Sequence, residues 1–318
     1  MLRRIWQSVM IALARSGWLT RLGRGTSLRA SPSRRYVAGG DAAAGMGRAR
    51  ELAAADGIRA SLFFLGEYVE DRGKIAEAVE NKLAVAGELA EAGLDIHVSV
   101  DPTQIGGSLD DDLMDANADA IAARIGAFTG LPGGVHCMMI DMEDHSVVDK
   151  TIALHDRLQA AGYPVALTLQ AYLRRTEADI ARLIERPSRV RLVKGAFVAS
   201  SDIAFTSQAE IKANYRRLID LMFSPEAREA GFYPIIATHD DRLHAYAREV
   251  ARRNGWPEGT YEFEMLMGVR GDVAGALAAA GERVRLYVPF GRDWWPYAIR
   301  RIGENPRNAL LLARSLVS

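Results

Sequence analysis

A regular alternation of short apolar runs with longer amphipathic segments constrains the fold of this chain more than any other feature. Eight runs rich in apolar and β-branched side chains have the length of strands; they are Ser61–Gly66, Asp95–Val100, Val135–Asp141, Val165–Gln170, Arg189–Gly195, Tyr233–His239, Tyr261–Leu266 and Val284–Pro289. The segments that follow them carry apolar residues at helical spacing; they are Ile75–Ala92, Leu113–Thr129, Val147–Ala161, Glu177–Glu185, Gln208–Met222, Asp241–Asn254, Asp272–Ala280 and Trp294–Leu316. Strands that alternate with helices are typical of parallel βαβ units.

Eight βαβ units joined by right-handed crossovers can close into a barrel. The span Ser61–Leu316 is 256 residues long, and a (β/α)8 barrel takes roughly 250 residues. An open doubly wound sheet is the alternative, but it usually carries a glycine-rich fingerprint after its first strand. The first predicted strand runs into Leu65-Gly66-Glu67-Tyr68, which lacks that fingerprint. The sequence therefore predicts a (β/α)8 TIM barrel over residues 61–318, preceded by N-terminal helices in a basic segment over residues 1–60.

The first 40 residues differ from the rest in charge, since they hold eight arginines and no acidic residue. Apolar residues recur there at helical spacing, and a basic amphipathic helix can lie on an anionic membrane surface. A helix packed on the barrel is the alternative that we favour, and an arginine-rich mitochondrial presequence is a third interpretation. We expect a cytoplasmic protein in which residues 1–40 are able to contact the inner face of the membrane.

Overall charge and cysteine content narrow the choice of partner and compartment. The chain has 40 Lys and Arg against 40 Asp and Glu, so its formal net charge is zero. A neutral chain argues against nucleic acid as the main partner. The sequence also lacks the run of about 18 apolar residues that a transmembrane helix needs. Cys137 is the only cysteine, which excludes an internal disulfide and favours a reducing compartment.

A barrel of this type has its active site at the C-terminal ends of the strands. The polar residues at or beyond the predicted strand ends are therefore candidates for a site: Glu67, Asp101, Thr103, Gln104, Asp141, Glu143, Asp144, His145, Gln170, Tyr172, Arg191, Lys194, Thr238, His239, Asp240, Glu262, Glu264, Arg285 and Tyr287. The last predicted helix adds Arg300, Arg301 and Glu304. A purely structural barrel does not need polar groups from every strand at one rim, so their convergence favours an enzyme or a binding protein.

Several of these residues allow two interpretations. Arg191 and Lys194 precede Gly195, where the backbone can approach a ligand closely, so the two cations suit a phosphate or pyrophosphate. An ion pair between Arg191 and a barrel acid is the alternative. His239 follows an apolar run and is either a cofactor ligand or a satisfied core histidine. Cys137 lies in a predicted strand and is expected to be an inert buried thiol.

The acids after the third predicted strand raise the question of a metal. Asp141, Glu143 and Asp144 are close in sequence, and carboxylates bind divalent cations. The chain has neither an HExxH motif nor paired-cysteine spacing. We therefore expect these acids to form an electrostatic frame with the arginines, and we expect no metal.

Short strings along the chain carry a family resemblance. They are Arg34–Gly39, Leu65–Glu67, Asp141–Asp144, Leu169–Leu173, Arg174–Glu177, Arg191–Ala196, Ala237–Asp240, Tyr261–Glu264, Gly268–Arg270, Tyr287–Gly291, Trp294–Tyr297, Arg300-Arg301 and Glu304–Pro306. Together they resemble the proline dehydrogenase family, flavoenzymes built on a distorted (β/α)8 barrel, and in particular its short monofunctional bacterial form.

The resemblance implies a cofactor, a substrate and a set of residues for each. FAD is expected across the strand ends, at Asp141, Met142, Gln170, Arg191, Val193, Lys194, Gly195, Ala196, Thr238 and His239. The candidate catalytic and substrate-binding positions are Glu67, Asp101, Asp141, Leu266, Tyr287, Arg300, Arg301 and Glu304. The implied reaction of proline catabolism oxidises L-proline to Δ1-pyrroline-5-carboxylate by hydride transfer to flavin N5, and the electrons pass to a membrane quinone.

Two positions depart from the family's pattern. Asp101 stands where the family usually has a lysine of the substrate-carboxylate site, and Glu264 stands in place of a usual glutamine. A carboxylate at residue 101 is expected to repel the proline carboxylate or to compete for Arg300 and Arg301. The site then oxidises proline weakly, takes a different secondary amine, or has lost activity. A flavin-free barrel lyase or aldolase that uses Lys194 as a Schiff-base amine is the alternative from another enzyme class.

Overall fold

The strands close into a barrel, as the sequence predicts. The computed structural model describes residues 35–294, apart from 129, 131–133 and 198, together with residue 297. Its eight parallel strands follow one another around the barrel in sequence order. They are β1 (Arg59–Phe64), β2 (His97–Val100), β3 (Cys137–Ile140), β4 (Val165–Gln170), β5 (Arg189–Val193), β6 (Tyr233–Ala237), β7 (Glu262–Leu266) and β8 (Val284–Phe290). Strand β8 closes the ring on β1, with Arg285 opposite Arg59 and Phe290 opposite Phe64.

The described helices connect and cover the strands. They are α1 (Ala42–Asp56), α2 (Arg72–Glu91), α3 (Asp111–Gly126), α4 (Val148–Ala160), α5 (Thr176–Leu183), α6 (Gln208–Met222), α7 (Pro225–Glu229), α8 (Asp241–Arg253) and α9 (Gly271–Ala279). Short 3-10 helices follow β2 at Pro102–Ile105 and β3 at His145–Val147. The predicted bounds of β4 and α6 match the structure, and each of the other predicted elements that the structure describes differs by one to three residues at one end or at both.

Helix α1 lies ahead of the barrel, within the basic segment over residues 1–60, and strand β1 begins at Arg59. The Asp41 side chain caps its first turn by accepting from the Ala44 amide at 2.9 Å. Its sequence is rich in Ala and Gly, so no strong apolar period indicates it. The helix packs closely on the barrel, because a Cβ on Gly45 would lie 3.1 Å from the ring of Phe290.

Apolar side chains between the strands and the surrounding helices form the main core. A second, small apolar cluster of buried residues comprises Val135, Cys137, Met139, Ala166 and Ile235. Burial raises the pKa of the Cys137 thiol to about 12, which confirms the expectation of an inert thiol. Other buried positions along the strands are polar, where barrels of this type usually hold branched apolar side chains; they include Ser61, His97, Ser99, Thr168, Arg191, Glu262, Glu264 and Arg285.

Several predicted features fall beyond the described residues. These are residues 1–34, most of the predicted helix Trp294–Leu316, and Arg300, Arg301 and Glu304. Among the helices that the structure describes, none has the length and apolar composition needed to cross a membrane.

Candidate active site

Arg191 on β5 is the centre of a buried polar network. Its Nε donates to Thr168 Oγ1 at 3.0 Å and its Nη1 to Glu264 Oε1 at 2.8 Å. Its Nη2 donates to the Asp141 carboxylate, and Tyr287 donates its hydroxyl to the other oxygen of Asp141 at 2.8 Å. The guanidinium also lies 5.4 Å from the centre of the Tyr287 ring. Strands β4, β5, β7 and β8 and the loop after β3 thus hold one charged constellation.

This constellation decides between the two interpretations of Arg191. All three donating nitrogens of its guanidinium are directed to protein oxygens, so the structure shows the ion pair with barrel acids. The side chain of Arg191 is 5% exposed, so it is poorly placed to bind a phosphate. Lys194, which is exposed on the loop after β5, is then the remaining candidate for that role. Arg191 instead fixes the position of the Asp141 carboxylate at the strand ends.

A second ion-pair network lies deeper in the barrel, and it corrects the prediction that Glu262 and Arg285 belong to the rim. Arg285 donates to both oxygens of Glu262, at 2.7 and 3.1 Å, and to Asp95 at 2.6 Å. It also donates to the Ala60 carbonyl at 3.0 Å. Glu262 is the first residue of β7 and Arg285 the second residue of β8, so both lie at the N-terminal ends of the strands, opposite the site. Their contacts are structural.

Gln170, the last residue of β4, presents an oriented hydrogen-bond acceptor. Its Nε2 donates to the carbonyls of Met142 and Glu143, at 3.4 and 3.1 Å. Its Oε1 has no partner among the described residues, although the residue is only 2% exposed. A buried carbonyl oxygen without a donor costs free energy, and a ligand N–H can satisfy it.

The loop after β5 passes close to the end of β4. Gly195 has φ +94°, and a Cβ there would lie 2.1 Å from the Tyr172 ring. The Tyr172 amide donates to the Lys194 carbonyl at 3.0 Å. Val193 ends β5, and Ala196 is exposed on the same loop.

Strand β6 brings its own loop to the same end of the barrel. Thr238 and His239 follow its last residue, Ala237, and both are half-buried. The Thr238 Oγ1 accepts from the Asp240 amide at 3.2 Å. The predicted cofactor residues thus lie within the neighbouring strands β4 and β5 or on the loops that follow β3, β5 and β6. The unsatisfied Gln170 acceptor and the glycine at residue 195 fit a flavin, whose ring offers an N–H donor.

Acidic residues gather at the strand ends of β1 to β3. The Thr103 amide donates to Glu143 Oε2 at 3.0 Å, and the Thr103 hydroxyl donates to Oε1. Burial raises the pKa of Glu143 to about 7. Burial also raises the pKa of Asp101, and the nearby Glu143 and Glu67 raise it further. Glu67 itself is exposed on the loop after β1.

Lys82 is a buried residue of this region that the sequence interpretation missed. It lies on α2 and is fully buried, and its Nζ donates to the Ser99 carbonyl at 3.1 Å. Burial lowers the pKa of Lys82 to about 7, and Asp101 acts in the opposite direction. Its position carried a signal, because it shares a helical face with Ile75, Ala78, Val79, Val85, Ala86 and Leu89. A lysine on such an apolar face is unusual.

Two of the predicted catalytic residues, Asp141 and Tyr287, are joined by a hydrogen bond. The charge of Asp101 contributes to raising the pKa of Tyr287. Leu266 ends β7 beside them and pairs in register with Tyr287. His97, Glu262 and Glu264 form the one group of possible metal ligands among the described residues, within 4.8 Å of one another. Both carboxylates of that group are paired with arginines, and we assign no metal to it.

Comparisons with known proteins point to one family. A family model described as proline dehydrogenase matches residues 46–314. Proline dehydrogenase of Deinococcus radiodurans is 34% identical over 267 residues, which cover 82% of this chain and 83% of that protein. Proline dehydrogenase 2 of Bacillus subtilis is 30% identical over 306 residues, which cover 96% of each chain.

Solved structures are similar in fold. Proline utilization A from Corynebacterium freiburgense has a TM-score of 0.74 at 22% identity, covering 98% of this chain and 35% of that one. Proline utilization A from Bdellovibrio bacteriovorus, inactivated by N-propargylglycine, has a TM-score of 0.72 at 21% identity, covering 85% of this chain and 32% of that one. The chain thus spans about a third of the length of these structures, and the likeness confirms the barrel fold.

Proposed function

The chain belongs to the proline dehydrogenase family of oxidoreductases that act on proline, and from this we propose that it oxidises L-proline to Δ1-pyrroline-5-carboxylate with FAD as its cofactor. The observation that carries the proposal is the buried constellation of Arg191, Asp141 and Tyr287 at the C-terminal end of the barrel. It fixes a carboxylate and a phenol beside an unsatisfied Gln170 acceptor.

The residues that would hold FAD lie along the ends of β3 to β6. Gln170 Oε1 would accept a flavin ring N–H, the backbone from Val193 to Ala196 would border the cofactor, and Lys194 would neutralise a phosphate. Thr238 and His239 would contact the cofactor from the loop after β6. Asp141 and Met142 would contact it from the loop after β3. When bound, FAD supplies a two-electron acceptor for a hydride.

The chain's own residues orient the substrate. Asp141 accepts hydrogen bonds from two sides, from Arg191 and from Tyr287, so its carboxylate is held in one orientation at the strand ends. Orientation of this kind is worth several kcal/mol. Leu266 and Tyr287 contribute apolar surface to the pyrrolidine ring, and Glu67 pairs with a substrate-site arginine. The family resemblance assigns the proline carboxylate to Arg300 and Arg301 and a role near the ring to Glu304; all three lie outside the described residues.

The electron acceptor and the location follow from the same proposal. A membrane quinone would accept the electrons of the reaction, and we assign the catalytic barrel of residues 61–318 to the cytoplasmic face of the membrane. The basic segment over residues 1–60 provides the contact, through arginines attracted to anionic lipid.

A different secondary amine is the second candidate substrate, and Asp101 favours it. The carboxylate of Asp101 is buried at the strand ends and disfavours a second carboxylate nearby. Pyrrolidine, which has the ring amine of proline without its carboxylate, separates the two possibilities. The flavin-free lyase has less support, because Lys194 is exposed and a Schiff-base lysine is usually desolvated.

Steady-state assays with a quinone acceptor test the proposal. The purified holoenzyme should reduce the quinone with L-proline and form an imine product that an aromatic amine reagent traps. Asp141→Asn should lower kcat/KM strongly, because it removes the fixed carboxylate. Asp119→Asn, on the outer face of α3, is the matched control and should change nothing. Turnover of pyrrolidine alone supports the second substrate, and no turnover of any cyclic amine contradicts the proposal.

A further inference from the structure

Asp101 places a buried carboxylate at the end of β2. It follows β2, is 6% exposed and precedes the 3-10 helix Pro102–Ile105 without capping it. Among the described residues, none donates a hydrogen bond to its side chain, although an ionised carboxylate accepts about four. A carboxylate in a buried position gains from a charged donor, so this place favours a cationic N–H group of a ligand.

The charged and titratable groups around Asp101 come from each neighbouring element. They are Lys82 on α2, Glu67 after β1, Glu143 after β3, Arg191 on β5 and Tyr287 on β8. The two acids raise the pKa of Asp101, and the two cations lower it. The surroundings are therefore negative on the β1 to β3 side, which favours a cation and disfavours a substrate carboxylate there.

Lys82 contacts the barrel where β1 pairs with β2. The pairing of β1 with β2 covers only two register positions, Leu62 with Val98 and Phe63 with Ser99. The Lys82 Nζ donates to the Ser99 carbonyl where that pairing ends, and it lies 5.2 Å from the centre of the Phe63 ring. Phe63 in turn lies 5.2 Å from the Tyr287 ring. A buried cation thus contacts β2 two residues before Asp101, and its charge lowers the pKa of Asp101.

We propose that Asp101 is a catalytic residue of this chain, which binds the ring ammonium of the substrate and accepts its proton, and that Lys82 is a positioning residue that keeps Asp101 ionised. This inference rests on the proposed function. The ammonium N–H bond breaks and its proton passes to Asp101. The adjacent ring C–H bond then breaks, its hydride leaves with two electrons for a flavin, and the nitrogen lone pair forms the C=N bond.

The pH dependence of kcat/KM for L-proline tests both roles. Asp101→Asn should lower kcat/KM by about 100-fold or more, since general-base catalysis contributes at least that much. Lys82→Met removes a cation that favours the ionised carboxylate, so the acid limb of the profile should move to higher pH. Lys82→Arg should restore the wild-type limb. A purely structural Lys82 would lower activity without moving the limb.

Binding to the dithionite-reduced holoenzyme gives a readout without turnover. L-proline carries the ring ammonium, whereas tetrahydrofuroate has a ring oxygen in its place and no proton to donate. In calorimetric titrations, Asp101→Asn should weaken proline binding and leave tetrahydrofuroate binding unchanged or tighter. Asp119→Asn again serves as the matched surface control.

The remaining outcomes separate the two proposals. An Asp101→Asn variant that keeps the wild-type kcat/KM and proline affinity overturns the role of Asp101 alone. Equal losses for proline and tetrahydrofuroate also overturn it, because they indicate a general disturbance of the site. A wild-type holoenzyme that neither binds nor oxidises proline contradicts the proposed function, and with it this inference.

Discussion

Arg191 shows how a single residue holds the site together. It connects Thr168, Glu264 and Asp141, which lie on or after three different strands. Removing the cation leaves two buried carboxylates unpaired, and breaking a buried pair in this way typically costs about 3–5 kcal/mol. The same residue therefore determines both the stability of the barrel and the placement of Asp141.

Arg191→Met should destabilise the protein by about 3–5 kcal/mol in urea unfolding. Arg157→Met is the matched control, because Arg157 pairs with Asp119 on the surface, where its side chain is 39% exposed. Its loss should cost less than about 1 kcal/mol. Equal unfolding midpoints for the two variants would contradict a structural role for the buried network.

Glu264 is a residue at which the family's usual glutamine should fit better. His97 Nε2 and Glu264 Oε2 have no hydrogen-bond partner among the described residues, and the two side chains approach within 4.8 Å. Burial raises the pKa of Glu264. The ionised form therefore costs stability as pH rises from the ordinary glutamate value towards the raised one.

Glu264→Gln should raise Tm, and the gain should be larger at about pH 8 than at about pH 5. The amide retains an acceptor for Arg191 and adds a donor that can face His97. Thermal unfolding at the two pH values measures the difference. A Tm that falls equally at both pH values would show that Arg191 needs the full carboxylate charge.

At the scale of elements, the loops that carry the site depend on where strands end. The sequence predicted that Asp141, Gly195 and His239 lie inside strands, but β3, β5 and β6 end before them. The ladder between β5 and β6 stops at Val193 and Ala237. Asp141, Gly195 and His239 therefore lie in the loops at the strand ends, where their side chains and backbone are available to a ligand.

Gly195→Ala should lower the FAD content of the purified protein, because the new Cβ meets the Tyr172 ring at 2.1 Å in a left-handed backbone. The loop then has to move away from the end of β4. The ratio of flavin to protein absorbance measures the occupancy. Gly47→Ala on α1 is the control, since nothing lies within 4 Å of its Cβ position. A full flavin content in Gly195→Ala would place the cofactor away from this loop.

Much of the barrel was predictable from periodicity, and the reasons for the failures are physical. The strands and most helices bury one apolar face, which leaves a repeating pattern in the sequence. Helix α1 packs Gly45 against Phe290 and buries only Met46, Ala49 and Leu52 besides, so its apolar pattern is weak. The contact of Arg285 with Glu262 and Asp95 joins distant parts of the chain, so no local pattern places it at the N-terminal ends of the strands. The partnership of Lys82 with Asp101 needs the tertiary structure for the same reason.

At the scale of the whole molecule, the barrel combines an apolar outer core with a charged interior. Arg191 and Arg285 neutralise acids in two successive layers. The upper layer faces the strand ends that hold the candidate site, and the lower layer supports it.

The basic residues 1–40 predict a contact between this protein and the membrane that would hold a quinone acceptor. Eight arginines without an acid in residues 1–40 should bind anionic vesicles, by about 1 kcal/mol for each arginine near the surface. Sedimentation with anionic liposomes should carry the full chain to the pellet and leave a variant without residues 1–30 in the supernatant. Neutral liposomes are the control. Equal behaviour of the two proteins would remove the membrane role of this segment.

The most direct test is the visible spectrum of the purified holoenzyme before and after excess L-proline, recorded without oxygen. The central claim is that this barrel holds FAD and passes it a hydride from proline. We expect the two absorption bands of an oxidised flavin, and we expect proline to bleach both. A colourless protein that FAD cannot reconstitute, or a flavin spectrum that neither proline nor any other cyclic amine changes, would contradict that claim.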